Sequence, residues 1–229
     1  MQNTDPENKA SRPDVELIVS DDGSHTLFVP QLNEHYHSTF GALNESVHVY
    51  IHMGLQQIDK SRVKVLEVGF GTGLNALLTA RFSAGKTIVY HTCEKYPLEP
   101  SVWEKLNYGN FEGFGLNNFF RQMHMCVWET LVTLANNFQI KKIKGDFRHL
   151  EIDTGYDLVY FDAFGPDKQP DLWCDDVFRK IFEAMGPSAV LVTYCAKGSV
   201  RRMLASSGFM VERLPGPPGK KEMLRAIKP

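Results

Sequence analysis

The sequence predicts an α/β fold. It combines a mostly parallel seven-stranded sheet, helices on both faces, a C-terminal antiparallel hairpin and a small N-terminal β-hairpin/helix lobe. Three observations predict it. Short apolar runs alternate with helically periodic segments from Val63 to Ser207, as in parallel strands joined by crossover helices. A glycine-rich turn follows the first of those strands. The last two strand-like runs flank the loop PGPPGKK, which suits a hairpin at a sheet edge.

Residues 1–13 are polar and acidic and are expected to form a disordered tail. This start has neither the basic residues nor the apolar stretch of a secretory signal, and no run of about 18 apolar residues follows anywhere. A cytoplasmic protein is therefore expected. Residues 14–60 read as the N-terminal lobe, covering a substrate pocket. VELIVSDDGSHTLFVP holds two β-rich runs joined by Asp21-Asp22-Gly23-Ser24, a turn sequence. A helix is expected near Ser38–Ile58, where Phe40, Leu43, Val47, Tyr50, Ile51 and Leu55 recur at helical spacing.

Residues 61–229 read as the main domain. Val63–Gly69 is a strand and Leu74–Phe82 a helix; Thr87–Lys95 is a strand and Pro97–Leu106 a helix. Residues 107–140 are aromatic, Asn-rich and only partly periodic, and no motif falls in them. Ile140–Gly145 and Tyr156–Phe161 are strands, the second apolar enough to be central. Asp171–Met185 is a helix, Ala189–Cys195 a strand, and Ser199–Ser207 a helix stopped by Gly208. Phe209–Leu214 and Glu222–Ile227 form the terminal hairpin. In such sheets ligands bind beyond the carboxyl ends of the strands, where strand order reverses.

The net charge of −2 conceals an asymmetry. Acidic residues dominate residues 1–60, whereas residues 197–229 carry Lys197, Arg201, Arg202, Arg213, Lys220, Lys221, Arg225 and Lys228 against Glu212 and Glu222. The C-terminal part either offers a positive surface to a polyanion or is simply solvated. Cys93, Cys126, Cys174 and Cys195 form no CxxC pair, so no zinc ribbon or redox motif is supported. His35 and His37, with Glu34 and Glu45, fall short of the convergent ligand set a metal site needs; they read as polar residues at a pocket mouth.

Two motifs carry chemistry. In Glu67-Val-Gly69-Phe70-Gly71-Thr-Gly73-Leu-Asn75, three alternating glycines let the backbone turn sharply and approach a ligand, ahead of a helix N-terminus. The spacing is GxGxG, not the GxGxxG of dinucleotide folds. Glu67 can orient, directly or through water, the ammonium end of S-adenosylmethionine; a purely structural turn is the alternative. Glu94, at the end of the second strand, can accept both ribose hydroxyls, or pair with Lys95. Asp146 can meet an adenine amino group, or cap a turn. The second motif, Asp157-Leu-Val-Tyr-Phe-Asp162-Ala-Phe164-Gly-Pro166-Asp-Lys-Gln-Pro-Asp-Leu-Trp173, ends an apolar strand on a carboxylate. An amine nucleophile is mostly protonated at neutral pH and has no lone pair until it loses that proton. Asp162 is placed to hold, orient and deprotonate it.

EVGFGTGLN, DAFGPDKQPDLW and GKKEMLRA resemble the MnmC-like (MnmD-type) tRNA 5-aminomethyl-(2-thio)uridine methyltransferases, and the similarity runs from about Asp22 to Lys228. It implies a Rossmann-like class I S-adenosylmethionine-dependent methyltransferase, with Glu67, Gly69, Phe70, Gly71, Gly73, Asn75, Glu94 and Asp146 at the methyl donor. It implies Asp162 as the catalytic residue and Phe164, Pro166 and Trp173 beside the substrate, covered by Tyr36, His37, Ser38 and Glu45. The expected product is 5-methylaminomethyl-(2-thio)uridine at the tRNA wobble position. No counterpart of the flavin-dependent domain of bifunctional members is expected, so separate upstream enzymes would supply the precursor to a chain acting as a monomer. Bases of the anticodon loop can stack on Tyr36, Phe164, Trp173 or Tyr194, with Lys197, Arg201, Arg202, Lys220 and Lys221 on phosphates. The rival reading is a methyltransferase or aminopropyltransferase-like enzyme acting on a small amine or protein side chain; a binding module without turnover has no use for Asp162.

Overall fold

The structure, a computed structural model, describes residues 14–83 and 85–229. The expected disordered tail lies outside the described residues. Strands β1 (Glu16–Val19) and β2 (His25–Val29) pair antiparallel around the Asp-Asp-Gly-Ser turn, and β3 (Glu34–His35) adds a short third strand.

The main sheet runs through β4 (Arg62–Val68), β5 (Thr87–Glu94), β6 (Leu131–Ala135), β7 (Phe138–Lys144), β8 (Tyr156–Phe161), β9 (Met185–Thr193), β10 (Met210–Pro215) and β11 (Glu222–Ile227). Its order is β10-β11-β9-β8-β4-β5-β7-β6. The five strands from β9 to β7 are parallel, and β11 and β10 follow antiparallel at one edge. The chain steps outward from β4 to β5 and β7, then returns to place β8 on the other side of β4. That reversal opens a crevice at the carboxyl ends of β4 and β8. The glycine turn and Asp162 stand at those two ends.

The sheet has eight strands, one more than the sequence predicts. The extra strand, β6, pairs antiparallel with β7 across Asn136 and Asn137, with an irregularity at Thr133–Ala135. That irregularity interrupts the period-two alternation by which Leu131–Ala135 would read as a strand. The helix α4 (Asn117–Met125) also falls in the unassigned stretch. It is tied to the sheet through Lys142, whose buried ammonium donates to the His124 carbonyl at 2.6 Å and lies over the Trp128 ring.

The helix expected over Ser38–Ile58 is three pieces. It begins as α1 (Ala42–Ser46), widens into a π-helix over Val47–His52, and ends in a 3-10 turn at Leu55–Gln57. The Met53 N–H reaches back to the His48 carbonyl, five residues earlier. Gly54 lies between the π-helix and the 3-10 turn, where a β-carbon would stand 2.5 Å from the Tyr50 carbonyl and close to Val192 and Tyr160. The lobe therefore packs its π-turn onto the sheet ends. Other helices are shorter than expected: α3 covers only Pro100–Trp103, and α5 (Asp175–Ala184) starts after a separate 3-10 turn at Pro170–Leu172. The glycine turn opens into α2 (Leu74–Phe82), whose residues from Leu74 to Thr79 are all buried between the lobe and the sheet. The last helix is α6 (Gly198–Ser206).

Candidate active site

A cavity of about 800 Å3 lies over the carboxyl ends of the central strands, between the main sheet and the N-terminal lobe. Its floor is the glycine turn and Asp162. Gly69, Gly71 and Gly73 all have positive φ, of 98°, 50° and 76°. Each glycine also admits a different neighbour. A β-carbon on Gly69 would stand 2.7 Å from the Asp162 carbonyl oxygen, so this glycine lets the ends of β4 and β8 close together. On Gly71 it would press on the Tyr36 ring at 3.1 Å, and on Gly73 it would meet Met123 and His124 of α4 below 3.0 Å. Gly73 thus serves the packing of α4 and does not line the cavity.

Asp162 receives two hydrogen bonds. The Tyr50 hydroxyl donates to Oδ1 at 2.6 Å and the Asn75 amide donates to Oδ2 at 2.7 Å. Burial raises the pKa of Asp162; nearby His37 and the bonds from Tyr50 and Asn75 hold it down, and Glu45 adds to the rise. The result is a fixed carboxylate of enhanced basicity facing the cavity. Sequence periodicity places Tyr50 in an apolar stripe and says nothing of its hydroxyl; the π-turn aims it.

The expected donor-site acids are arranged differently from one another. The Gly71 N–H donates to Glu94 Oε2 at 2.9 Å and the Tyr96 N–H to Oε1 at 2.8 Å, so the carboxylate of Glu94 braces the turn while bordering the cavity. Its pKa is raised by burial against those backbone bonds. Asp146 also borders the cavity and is gripped by Arg148 (2.7 Å) and Lys95 (3.1 Å), with Arg148 the chief cause of its lowered pKa. Glu67 lies deeper than the other expected donor-site residues. It is fully buried beneath the cavity and does not line it. The Thr92 hydroxyl donates to its Oε2 at 2.7 Å, and burial pushes its pKa far up. Its carboxyl therefore stands behind the cavity lining.

Tyr36, His37, Ser38, Glu45, Phe164 and Pro166 line the cavity. The Tyr36 and Phe164 rings meet edge to face at 5.0 Å. His37 Nε2 and Thr72 Oγ1 are 2.7 Å apart, and burial lowers the His37 pKa. Lys220, from the C-terminal hairpin, pairs with Glu45 at 2.5 Å and lies 4.0 Å over the Tyr194 ring. The Ser38 N–H donates to the other Glu45 oxygen at 2.8 Å. Lys197 lines the rim and pairs with Asp167. Four predicted substrate residues are not brought to the cavity. Trp173 is buried against Phe161 and Phe178, and its indole N–H donates to the Phe164 carbonyl at 2.7 Å, which holds the loop from behind. Arg201, Arg202 and Lys221 are exposed outside the cavity wall.

Comparison with known proteins settles the class. A family described as S-adenosyl-L-methionine-dependent methyltransferase matches residues 117–229. The tRNA 5-methylaminomethyl-2-thiouridine biosynthesis bifunctional protein MnmC of Chromobacterium violaceum is 29% identical over 210 residues, covering 82% of this chain and 31% of that protein. Its counterpart in Campylobacter hominis is 31% identical over 177 residues, covering 73% and 26%. This chain belongs to the S-adenosyl-L-methionine-dependent methyltransferases. It spans between a quarter and a third of these two relatives. The crystal structure of MnmC2 from Aquifex aeolicus superposes with a TM-score of 0.78 at 24% identity, covering 95% of this chain and 71% of that one. Spermidine synthase from Thermotoga maritima shares the fold at a TM-score of 0.61 and 11% identity, covering 94% and 68%.

The cofactor of this methyltransferase is S-adenosyl-L-methionine, and the cavity fits it. Asn75 borders the cavity floor and fixes Asp162 there. Beside it runs the glycine turn, with two carboxylates at neighbouring strand ends.

Proposed function

We propose that this enzyme methylates the exocyclic amine of 5-aminomethyl-(2-thio)uridine at the wobble position of tRNA, giving 5-methylaminomethyl-(2-thio)uridine. One observation carries the reading: a half-buried carboxylate, Asp162, is fixed by Tyr50 and Asn75 within a lobe-covered cavity beside the glycine turn. The names of the MnmC relatives supply the nucleoside.

In this reading the turn at Gly69–Gly71, with Asn75, Glu94 and Asp146, holds the methyl donor, which supplies an electrophilic methyl group on a sulfonium. Asp162 receives the substrate as an ammonium, orients its nitrogen and takes a proton from it, leaving the lone pair needed to form the N–CH3 bond as the S–CH3 bond breaks. Its raised pKa suits that task, because a stronger base accepts the ammonium proton more readily. Tyr50 and Asn75 are positioning residues that fix both carboxylate oxygens. Glu45 and Lys220 close the substrate side, joining the lobe to the terminal hairpin. Separate enzymes deliver the aminomethyl precursor, and the chain acts as a monomer.

The test is methyl transfer by purified protein to tRNA whose wobble uridine carries the unmethylated aminomethyl group, followed by nucleoside mass spectrometry. A 14-dalton gain on that nucleoside is expected. Transfer to free polyamines with none to tRNA would replace this reading by the small-amine one.

A further inference from the structure

Phe40 is the one exposed Phe, Tyr or Trp among the described residues. It is 57% exposed and stands in the cavity wall. Single exposed apolar residues are ordinary on protein surfaces, so its surroundings decide whether it matters.

The segment carrying Phe40 is held by hydrogen bonds. The Asp21 N–H donates to the Thr39 carbonyl at 2.8 Å, and the Phe40 N–H donates to Ser38 Oγ at 3.2 Å. Asp22 accepts from the Ser24 and Asn44 N–H groups, each at 3.0 Å, and packs so closely on Gly41 that no β-carbon fits there. The ring rests on Gly219, where any side chain would strike its Cγ, Cδ2 and Cε2 atoms. Gly219 has a φ of 81°, so this bare turn and the ring are built against each other. Two loops from opposite ends of the chain thus present an aromatic ring at the cavity mouth, while more than half of the residue stays open.

The aromatics expected to stack bases are unsuited to a second one. Trp173 is buried, Tyr194 is covered by Lys220, and Tyr36 and Phe164 contact each other inside the cavity. Lys168 lines the same cavity and forms no ion pair among the described residues. An open ring held by hydrogen-bonded loops, in a cavity that also presents the ammonium of Lys168, fits an unpaired nucleotide, with the base on the ring and the phosphate on the lysine.

We infer that Phe40 is a stacking platform for the nucleobase next to the nucleotide that enters the cavity. The platform stands at the mouth of the cavity whose floor is Asp162 and rests on the proposed RNA substrate. It binds any base, because stacking uses the π-face that every base has.

The experiment compares wild type, Phe40→Ala, Phe40→Leu and Phe40→Trp on two substrates: an anticodon stem-loop RNA bearing 5-aminomethyluridine, and the free 5-aminomethyluridine nucleoside. Phe40→Ala and Phe40→Leu are expected to raise KM for the stem-loop on the order of tenfold with kcat little changed. Phe40→Trp should restore KM, and the nucleoside should not distinguish the four proteins. Leucine keeps apolar packing on Gly219 without a ring, so it separates stacking from loop support. An unchanged KM in Phe40→Ala, wild-type behaviour of Phe40→Leu, or an equal loss on the nucleoside overturns the inference. Wild type that binds the donor yet methylates neither substrate removes the RNA reading, and the platform falls with it.

Discussion

The Tyr50 hydroxyl and the Asp162 carboxylate, 112 residues apart in sequence, meet at 2.6 Å in the cavity floor. The contact depends on the π-turn over Val47–His52, which presents Tyr50 against β8. A π-turn inside a short helix is rare and often falls at functional sites. The contact links the lobe to the main sheet through the group proposed to handle the substrate's proton.

Tyr50→Phe should move the pH dependence of kcat/KM. Burial raises the Asp162 pKa, and the Tyr50 bond opposes that rise. Without the hydroxyl the pKa climbs further, so the acidic limb of the profile moves to higher pH, by on the order of one unit. Activity should drop most at low pH and recover as the pH is raised. A variant that is uniformly slower, with its limb unmoved, would show that Tyr50 only supports packing.

Asp162→Asn preserves shape and removes the proton acceptor. Tyr50 and Asn75 both donate to this side chain, so an amide there also turns one of its own donors toward a donor. Methyl transfer should fall by about 10²–10⁴-fold. Calorimetric titration with S-adenosylhomocysteine should show affinity retained within about threefold, because Asp162 is not proposed to hold the donor. Near-normal turnover would take Asp162 out of the mechanism.

The fold was legible because its signals are local. The apolar run from Tyr156 to Phe161 can only be a central strand, and the glycine turn marks a strand end by itself. Asp162 could be singled out because a carboxylate closing such a strand needs a reason. What stayed hidden depends on long-range packing. The hydroxyl of Tyr50 lies within an apolar helical stripe, and only the π-turn turns it toward Asp162. Trp173 reads as a pocket aromatic in DAFGPDKQPDLW, yet its ring packs inward on Phe161 and Phe178. The bulge at Thr133–Ala135 breaks the alternation that would have revealed β6. Glu67 sits in a sequence motif that suggests contact, but the strand carries it one layer below the cavity.

Gly69→Ala should be costly to stability before it affects chemistry. The residue has a φ of 98°, and an added β-carbon would stand 2.7 Å from a backbone oxygen, which cannot rotate away. A loss of about 2 kcal/mol or more is expected, lowering the melting temperature by roughly 5 °C. Gly155→Ala is the control: its φ is 77°, but nothing lies within 4 Å of the added carbon, so only the backbone penalty of about 1 kcal/mol remains. Equal losses in the two variants would mean that the ends of β4 and β8 can separate without consequence.

Glu67→Gln tests whether the buried glutamate is charged. Its pKa lies well above the usual 4.5 because burial disfavours the carboxylate. The folded protein therefore keeps a proton that the unfolded chain releases above about pH 4.5. More protons bound in the fold mean that stability falls as pH rises from that value toward the folded pKa. Glutamine copies the protonated acid in shape and cannot ionise, so the variant should lose less stability across pH 5 to 8 and match or exceed wild type at pH 8. Donor affinity should change little, since Glu67 does not line the cavity. Melting curves across that range, with donor titrations at pH 7, decide both points. A wild type that gains stability on the variant as pH rises would mean an ionised Glu67 held by its neighbours. A large loss of donor affinity would return the carboxylate to the ligand's ammonium.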